Sequence, residues 1–137
     1  MAEYKGGTGV EPKEKIRRHW RWAPALVWMG VIFYLSSRTG EEIQSMFPMF
    51  ERLDWGHFAA YFILGLAYWF ALQAYKLNEW QRKGLAVLFS FLYGISDEIH
   101  QAFVPGRHPD PFDVVNDVIG ATLAMVVVYL CQKYRKK

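Results

Sequence analysis

The sequence predicts an all-α integral membrane protein with four transmembrane helices, both termini cytoplasmic and a polar cluster at the outer end of the bundle. Three observations carry that expectation. Residues 22–37, 58–75, 84–96 and 118–132 are four stretches without a charged side chain. The charges between them are sorted by loop, and Trp20, Trp22, Trp55 and Trp80 fall near the ends of the stretches, as an aromatic belt would. The mean hydropathy of −0.01 conceals this, because apolar spans and charged loops cancel in the average. A chain of 137 residues that is 53% hydrophobic and 18% aromatic is neither disordered nor, with Cys131 as its one cysteine, a disulfide scaffold.

Loop by loop, the charge fixes the orientation. Lys5, Lys13, Lys15, Arg17, Arg18 and Arg21 precede the first stretch; Lys76, Arg82 and Lys83 lie between the second and third; Lys133, Arg135, Lys136 and Lys137 follow the fourth. Only Arg38, Arg52 and Arg107 among the basic residues lie on the other side, with nine of the 13 acids. The positive-inside rule puts the basic side in the cytoplasm. These basic residues are juxtamembrane and suit anionic lipid, so nucleic acid is not an expected partner.

A span needs about 20 residues. The boundaries expected are a basic N-tail over 1–19, spans at about 20–37, 57–75, 84–103 and 112–131 within a membrane domain over 20–132, and a basic C-tail over 133–137. The first twelve residues are expected to be a disordered tail. Pro24 suits the first turn of span one, and no small-residue cleavage site follows Leu35, so span one is not expected to be a removed signal peptide. Spans three and four reach full length only by taking in polar ends, which must then be buried in protein.

Two outer loops follow. In residues 39–55, Ile43, Met46, Phe47, Phe50 and Leu53 recur at helical spacing, interrupted by Pro48. A short amphipathic segment resting on the membrane surface is the expectation, with a lid as the alternative. The loop from Phe103 to Pro111 holds three prolines, a stiff turn that presents Arg107.

Ionisable residues within spans are costly and are functional candidates by default. Span three ends Ser96-Asp97-Glu98-Ile99-His100-Gln101. Asp97, His100 and Gln101 share a helix face with Gly94 and Ser90, while Glu98 points about 100° away. Asp113, Asn116, Asp117 and Gly120 share a face of span four, continued by Ala124. Span two adds His57 and Tyr61, and span one adds Ser36, Ser37 and Arg38, all at outer ends. At about 1.5 Å per residue the polar faces of spans three and four reach the same depth.

Asp97, Glu98 and Asp113 are the candidate acid–base residues. Arg107, His57, Tyr61, His100, Gln101, Asn116 and Ser37 are the candidate substrate contacts. Asp97, Glu98, Asp113 and Asp117 cannot all stay ionised at low dielectric against Arg38 and Arg107. Either some carry a proton or a cation completes the site. Magnesium or calcium would accept these oxygens and zinc could use His57 or His100, though no spacing is a metal signature. Gly94, Gly120 and Ala124 read as close-packing positions, and Ser36, Ser37 and Ser96 as helix-end hydrogen bonders with no paired base. Interhelical pairing alone, without function, is the bland alternative for the cluster.

Several of these residues together resemble the VanZ-like family, named for an accessory glycopeptide-resistance protein. They are Phe33-Tyr-Leu-Ser-Ser37; Asp54 with His57, Phe58 and Tyr61; Gly94-Ile-Ser-Asp-Glu-Ile-His-Gln101; Pro105-Gly106-Arg107; and Asp113, Asn116 and Gly120. Arg38 stands where glutamine is common in the family, and Asp117 has no clear counterpart. The resemblance covers most of residues 30–125. It implies a bacterial cell-membrane protein and, for the named member, reduced susceptibility to teicoplanin. Glycopeptides act outside the membrane on lipid-carried cell-wall precursors, so the expected partner is a membrane lipid or a polyprenyl-phosphate-linked precursor. Three roles compete for the pocket: modification of such a substrate, binding or transport without chemistry, and a structural membrane subunit.

Overall fold

A computed structural model describes residues 12–48 and 54–137, and among them all regular structure is helical. In chain order the helices are α1 (Pro12–Trp20), α2 (Ala23–Ser36), α3 (Gly40–Met46), α4 (Asp54–Leu72), α5 (Glu79–Gln101) and α6 (Pro111–Arg135). Phe50 and Leu53 of the expected amphipathic stripe, the side chain of Asp54 and residues 1–11 lie outside the described residues.

Local chemistry starts three of the helices. Thr39 caps α3 through a capping box, its hydroxyl accepting from Glu42 N–H while Glu42 Oε2 accepts from Thr39 N–H. Asn78 and Gln81 form the same reciprocal pair at the start of α5. Asp110 caps α6 by accepting from Phe112 N–H, and Pro111 fills the first helical position, where its missing N–H costs nothing. Gly106, at φ +75°, makes the left-handed corner of the α5–α6 loop that a side chain would strain.

α4 packs chiefly on α6, α5 packs on both, and α2 lies across α4 and α5. Small residues set the closest approach. A Cβ on Gly120 would stand 2.3 Å from the Phe58 carbonyl oxygen, and one on Gly65 would stand 3.1 Å from Ala121 Cα. Ile32, Tyr61, Leu64, Tyr68, Leu72, Met125 and Val128 fill the core between. Trp28 Nε1–H donates to Ala60 O at 2.8 Å, and Tyr93 O–H donates to Met29 O at 2.7 Å, tying α2 to its neighbours.

The outside of the bundle is more apolar than the inside. Along α6 the inward face holds Asp117, Gly120, Ala121, Ala124, Met125 and Val128, whereas Val115, Ile119, Leu123, Val126 and Leu130 form an exposed stripe. Small residues inward and large ones outward is the arrangement that lipid favours and water does not. Trp55–Leu72 and Pro111–Arg135 are long and apolar enough to cross a membrane. The protein is membrane-associated.

Three boundaries differ from those expected. The basic segment before span one includes a nine-residue helix, α1, with no buried residue. It ends in a turn at Arg21–Trp22, so α2 has 14 residues and a length of about 21 Å, short of an apolar core about 30 Å thick. At the far end of α4 the helix stops at Leu72, and α5 begins at Glu79, earlier than the apolar run that marked it in the sequence.

Candidate functional site

At one end of the bundle, where α2 and α5 finish and α4 and α6 begin, the polar residues of three helices converge. His57 on α4 is the centre. Its Nδ1–H donates to Asp117 Oδ1 at 3.1 Å, and its Nε2 lies 3.8 Å from Asp113 Oδ2. A ring nitrogen of His57 and one carboxylate oxygen each from Asp97 and Glu98 lie within 4.8 Å of one another. Asp117 is fully buried, at 0% exposure, and Asp97, Glu98 and Gln101 are buried too.

A second layer orients these groups. Gln101 Nε2–H donates to Asp97 Oδ2 at 3.0 Å and stands 3.5 Å from Ser36 Oγ. The Asp110 backbone N–H donates to Glu98 Oε2 at 2.9 Å, so the loop that caps α6 also holds the Glu98 carboxylate. Glu98 leaves the Asp97 face as the helix period requires, yet it is buried because this loop folds back over it. Gly94 makes room for Asp117: a Cβ there would stand 2.6 Å from Asp117 Oδ2.

The cluster opens into a cavity of about 310 Å³. Trp28, Ile32, Leu35, Ala60 and Ile63 form apolar walls, Ile43 and Phe47 contribute from α3 and its end, and His57, Asp97, Tyr61 and Arg107 supply the polar lining. Arg107 Nη1 and the Tyr61 hydroxyl are buried without a hydrogen-bond partner among the described residues. An uncompensated guanidinium N–H in an apolar cavity is costly unless something anionic meets it.

Not every sequence candidate joins this group. His100 turns to α2, where it stacks on Phe33 at 4.5 Å and places Nε2 2.9 Å from Ser37 Oγ. Ser37 spends its own proton on Phe33 O, so the His100 Nε2–H is the donor. Arg38, one of the two cations weighed against the carboxylates, lies over the Tyr34 ring at 4.3 Å. Asn116 is half-buried on α6 beside Asp117. Asp110 was unassigned by sequence, although an Asp-Pro pair opening an apolar run is a readable helix start.

Sequence reasoning missed a second polar cluster, at the opposite end. There Glu79 Oε2 accepts from Gln132 Nε2 at 2.7 Å, from Lys83 Nζ at 3.3 Å and from Trp69 Nε1 at 3.3 Å, while Glu79 Oε1 pairs with Arg82. Lys83 also donates to Gln132 Oε1 at 2.9 Å. Burial alone would push the Glu79 carboxyl up, but these donors outweigh it and hold it down at about 2. Both Glu79 oxygens have partners, and Arg82 Nε is the group of this cluster left buried without a hydrogen-bond partner among the described residues. At the His57 end, by contrast, Glu98 Oε1 and Asp117 Oδ2 are buried and unpartnered among the described residues.

A family model described as VanZ/LLP1 matches residues 21–132. No curated protein and no solved structure matches the chain.

Proposed function

The chain belongs to the VanZ/LLP1 family, and from that premise we propose that it is a four-pass protein of the bacterial cell membrane with cytoplasmic termini. Its outward pocket binds the anionic head group of a lipid-linked cell-envelope substrate, in the setting of glycopeptide resistance. One observation carries the reading: Arg107 Nη1 is buried without a hydrogen-bond partner among the described residues, at the polar end of a cavity whose other walls are apolar. An acyl or prenyl chain suits the apolar walls, and a phosphate or carboxylate suits the guanidinium. His57 and Asp97 line the same cavity and would hold or move a proton at the bound head group.

The sorting of basic residues supports the orientation, since Arg18 and Arg21 lie over Tyr75 and Phe70 at the Glu79 end, with Lys83 and Arg82. α2 reaches across with help from Trp20 and Trp22 at its start and from local thinning of the bilayer.

Native mass spectrometry of protein extracted from a bacterial membrane tests the proposal. The wild type carries a co-purifying phosphate-bearing lipid, Arg107→Ala loses it, and cells expressing Arg107→Ala or Asp97→Asn at normal levels lose the resistance phenotype. Retention of lipid and resistance by both variants would sink the reading.

A further inference from the structure

Three side chains at or beside the cavity share one pattern. In each, a neighbour holds one polar atom in place. His57 commits Nδ1–H to Asp117 Oδ1 at 3.1 Å and turns Nε2 towards Asp113, 3.8 Å away. Asp97 commits Oδ2 to the Gln101 amide at 3.0 Å. Glu98 commits Oε2 to the Asp110 N–H at 2.9 Å, and its Oε1 is buried with no hydrogen-bond partner among the described residues. One donor atom from each of the three lies within 4.8 Å of the others.

We propose that His57, Asp97 and Glu98 bind a divalent transition-metal ion, with zinc as the preferred occupant. A ligating histidine almost always gives its other N–H to a carboxylate, which fixes the tautomer and raises the basicity of the ligating nitrogen. The His57–Asp117 pair is that arrangement. The Gln101 and Asp110 contacts do the same for the two carboxylates. Glu98 is only 8% exposed, and its Oε1, buried without a hydrogen-bond partner among the described residues, has lone pairs available to an ion. One imidazole and two carboxylates favour zinc or manganese over magnesium or calcium, which prefer all-oxygen ligands. A modest side-chain rotation contracts the three donors onto an ion about 2.0–2.2 Å from each. Three protein ligands leave a fourth position open, the form taken by zinc sites that engage water or substrate. The site lies in the same pocket as the head-group reading, and it stands or falls without reference to what the cavity holds.

The test is zinc titration of the purified full chain in detergent, treated with chelator and carrying Cys131→Ser to remove an exposed thiol that would also bind zinc. The wild type is expected to take up one zinc ion per chain, with magnesium unable to compete. Glu98→Gln keeps an oxygen acceptor for the Asp110 N–H but removes the charged ligand, and is expected to weaken binding by at least about 100-fold. Asp117→Asn, which acts only through His57, is expected to weaken it by roughly 10–100-fold. His108→Ala, an exposed histidine on the outer loop, is expected to leave it unchanged. Where a ligand variant fails to fold, a zinc-dependent rise in the Tm of the wild type that Asp117→Asn reduces supports the site. Absence of stoichiometric zinc binding by the wild type overturns it, as does undiminished binding in folded Glu98→Gln. Loss of zinc binding in Glu98→Gln with lipid retained, and loss of lipid in Arg107→Ala with zinc retained, separate this site from the head-group reading.

Discussion

Replacing Gly120 by alanine tests how helix packing holds the candidate site. The added Cβ would stand 2.3 Å from Phe58 O, 3.2 Å from Phe58 C and 3.2 Å from Phe62 N, all of them α4 backbone atoms that no rotamer change can move aside. Restoring an ordinary carbon–oxygen contact of roughly 3.3 Å requires α6 to move off α4 by about 1 Å. Overpacking of this kind costs about 1–3 kcal/mol. His57 precedes Phe58 in sequence, and Asp117 lies about one helical turn before Gly120, so the same displacement stretches their 3.1 Å hydrogen bond. Losing a hydrogen bond to a charged group costs about 1.5–3 kcal/mol, so the two effects together reach about 2.5–6 kcal/mol. Gly65→Ala is the control: its Cβ meets Ala121 at 3.1 Å and 3.3 Å, which a shift of a few tenths of an ångström relieves. The assay is chemical unfolding in mixed micelles followed by tryptophan fluorescence, with zinc affinity measured on the same samples. If Gly120→Ala unfolds within about 0.5 kcal/mol of the wild type, below the overpacking cost, the Gly120 packing does not hold the site as argued.

Three other perturbations separate structural from functional groups. Glu79→Gln should destabilise the protein at neutral pH; because the folded carboxyl lies at about 2, below its ordinary 4.5, the contribution is complete above pH 4.5 and fades as pH falls towards 2. The stability gap between wild type and variant should therefore narrow below about pH 4.5 in a pH series of Tm values, and a gap that widens would refute the saturated network. Tyr61→Phe removes a buried hydroxyl with no partner among the described residues, so stability should hold or rise while co-purifying lipid falls in native mass spectrometry; a loss of Tm with lipid unchanged would mean that the hydroxyl is structural. Thr39→Ala breaks the capping box of the seven-residue α3 and should cost about 0.5–2 kcal/mol locally, seen as faster amide exchange over Gly40–Met46 with α5 unaffected.

Much of this was legible because membrane helices leave coarse signals. The apolar runs and sorted charges announced α4, α5 and α6, and the helix period placed Asp97 with Gln101 and Asp113 with Asp117. Depth counting along two helices brought Asp97 and Asp117 to one level, and the structure has both within reach of His57. What the sequence could not reveal is pairing across helices. Glu79 reads as a lone loop acid until Gln132 is brought beside it from α6 and Trp69 from α4. His100 shares a helical face with Asp97 in projection, but a helix face is broad, and Phe33 and Ser37 capture the ring from the α2 side. Gly94 looked like a packing glycine, whereas its missing side chain houses the Asp117 carboxylate.

The two polar ends of this bundle obey the same physics and differ in how many polar atoms they leave unsatisfied. A buried polar cluster that exists to hold helices together gains most when every lone pair is used, because each unsatisfied atom costs about 1–3 kcal/mol. Both Glu79 oxygens have partners in Arg82, Lys83, Gln132 and Trp69, and Arg82 Nε is the group left over there. The His57 end leaves more of them without a partner among the described residues: Glu98 Oε1, Asp117 Oδ2, the Tyr61 hydroxyl and Arg107 Nη1. Arg107 offers a donor, Asp117 and Glu98 offer acceptors, and yet the helices do not bring them together. Buried groups of both signs without a hydrogen-bond partner among the described residues are what a site shaped to receive a charge from outside the chain would show, and they support the proposed binding of a charged ligand at the His57 end.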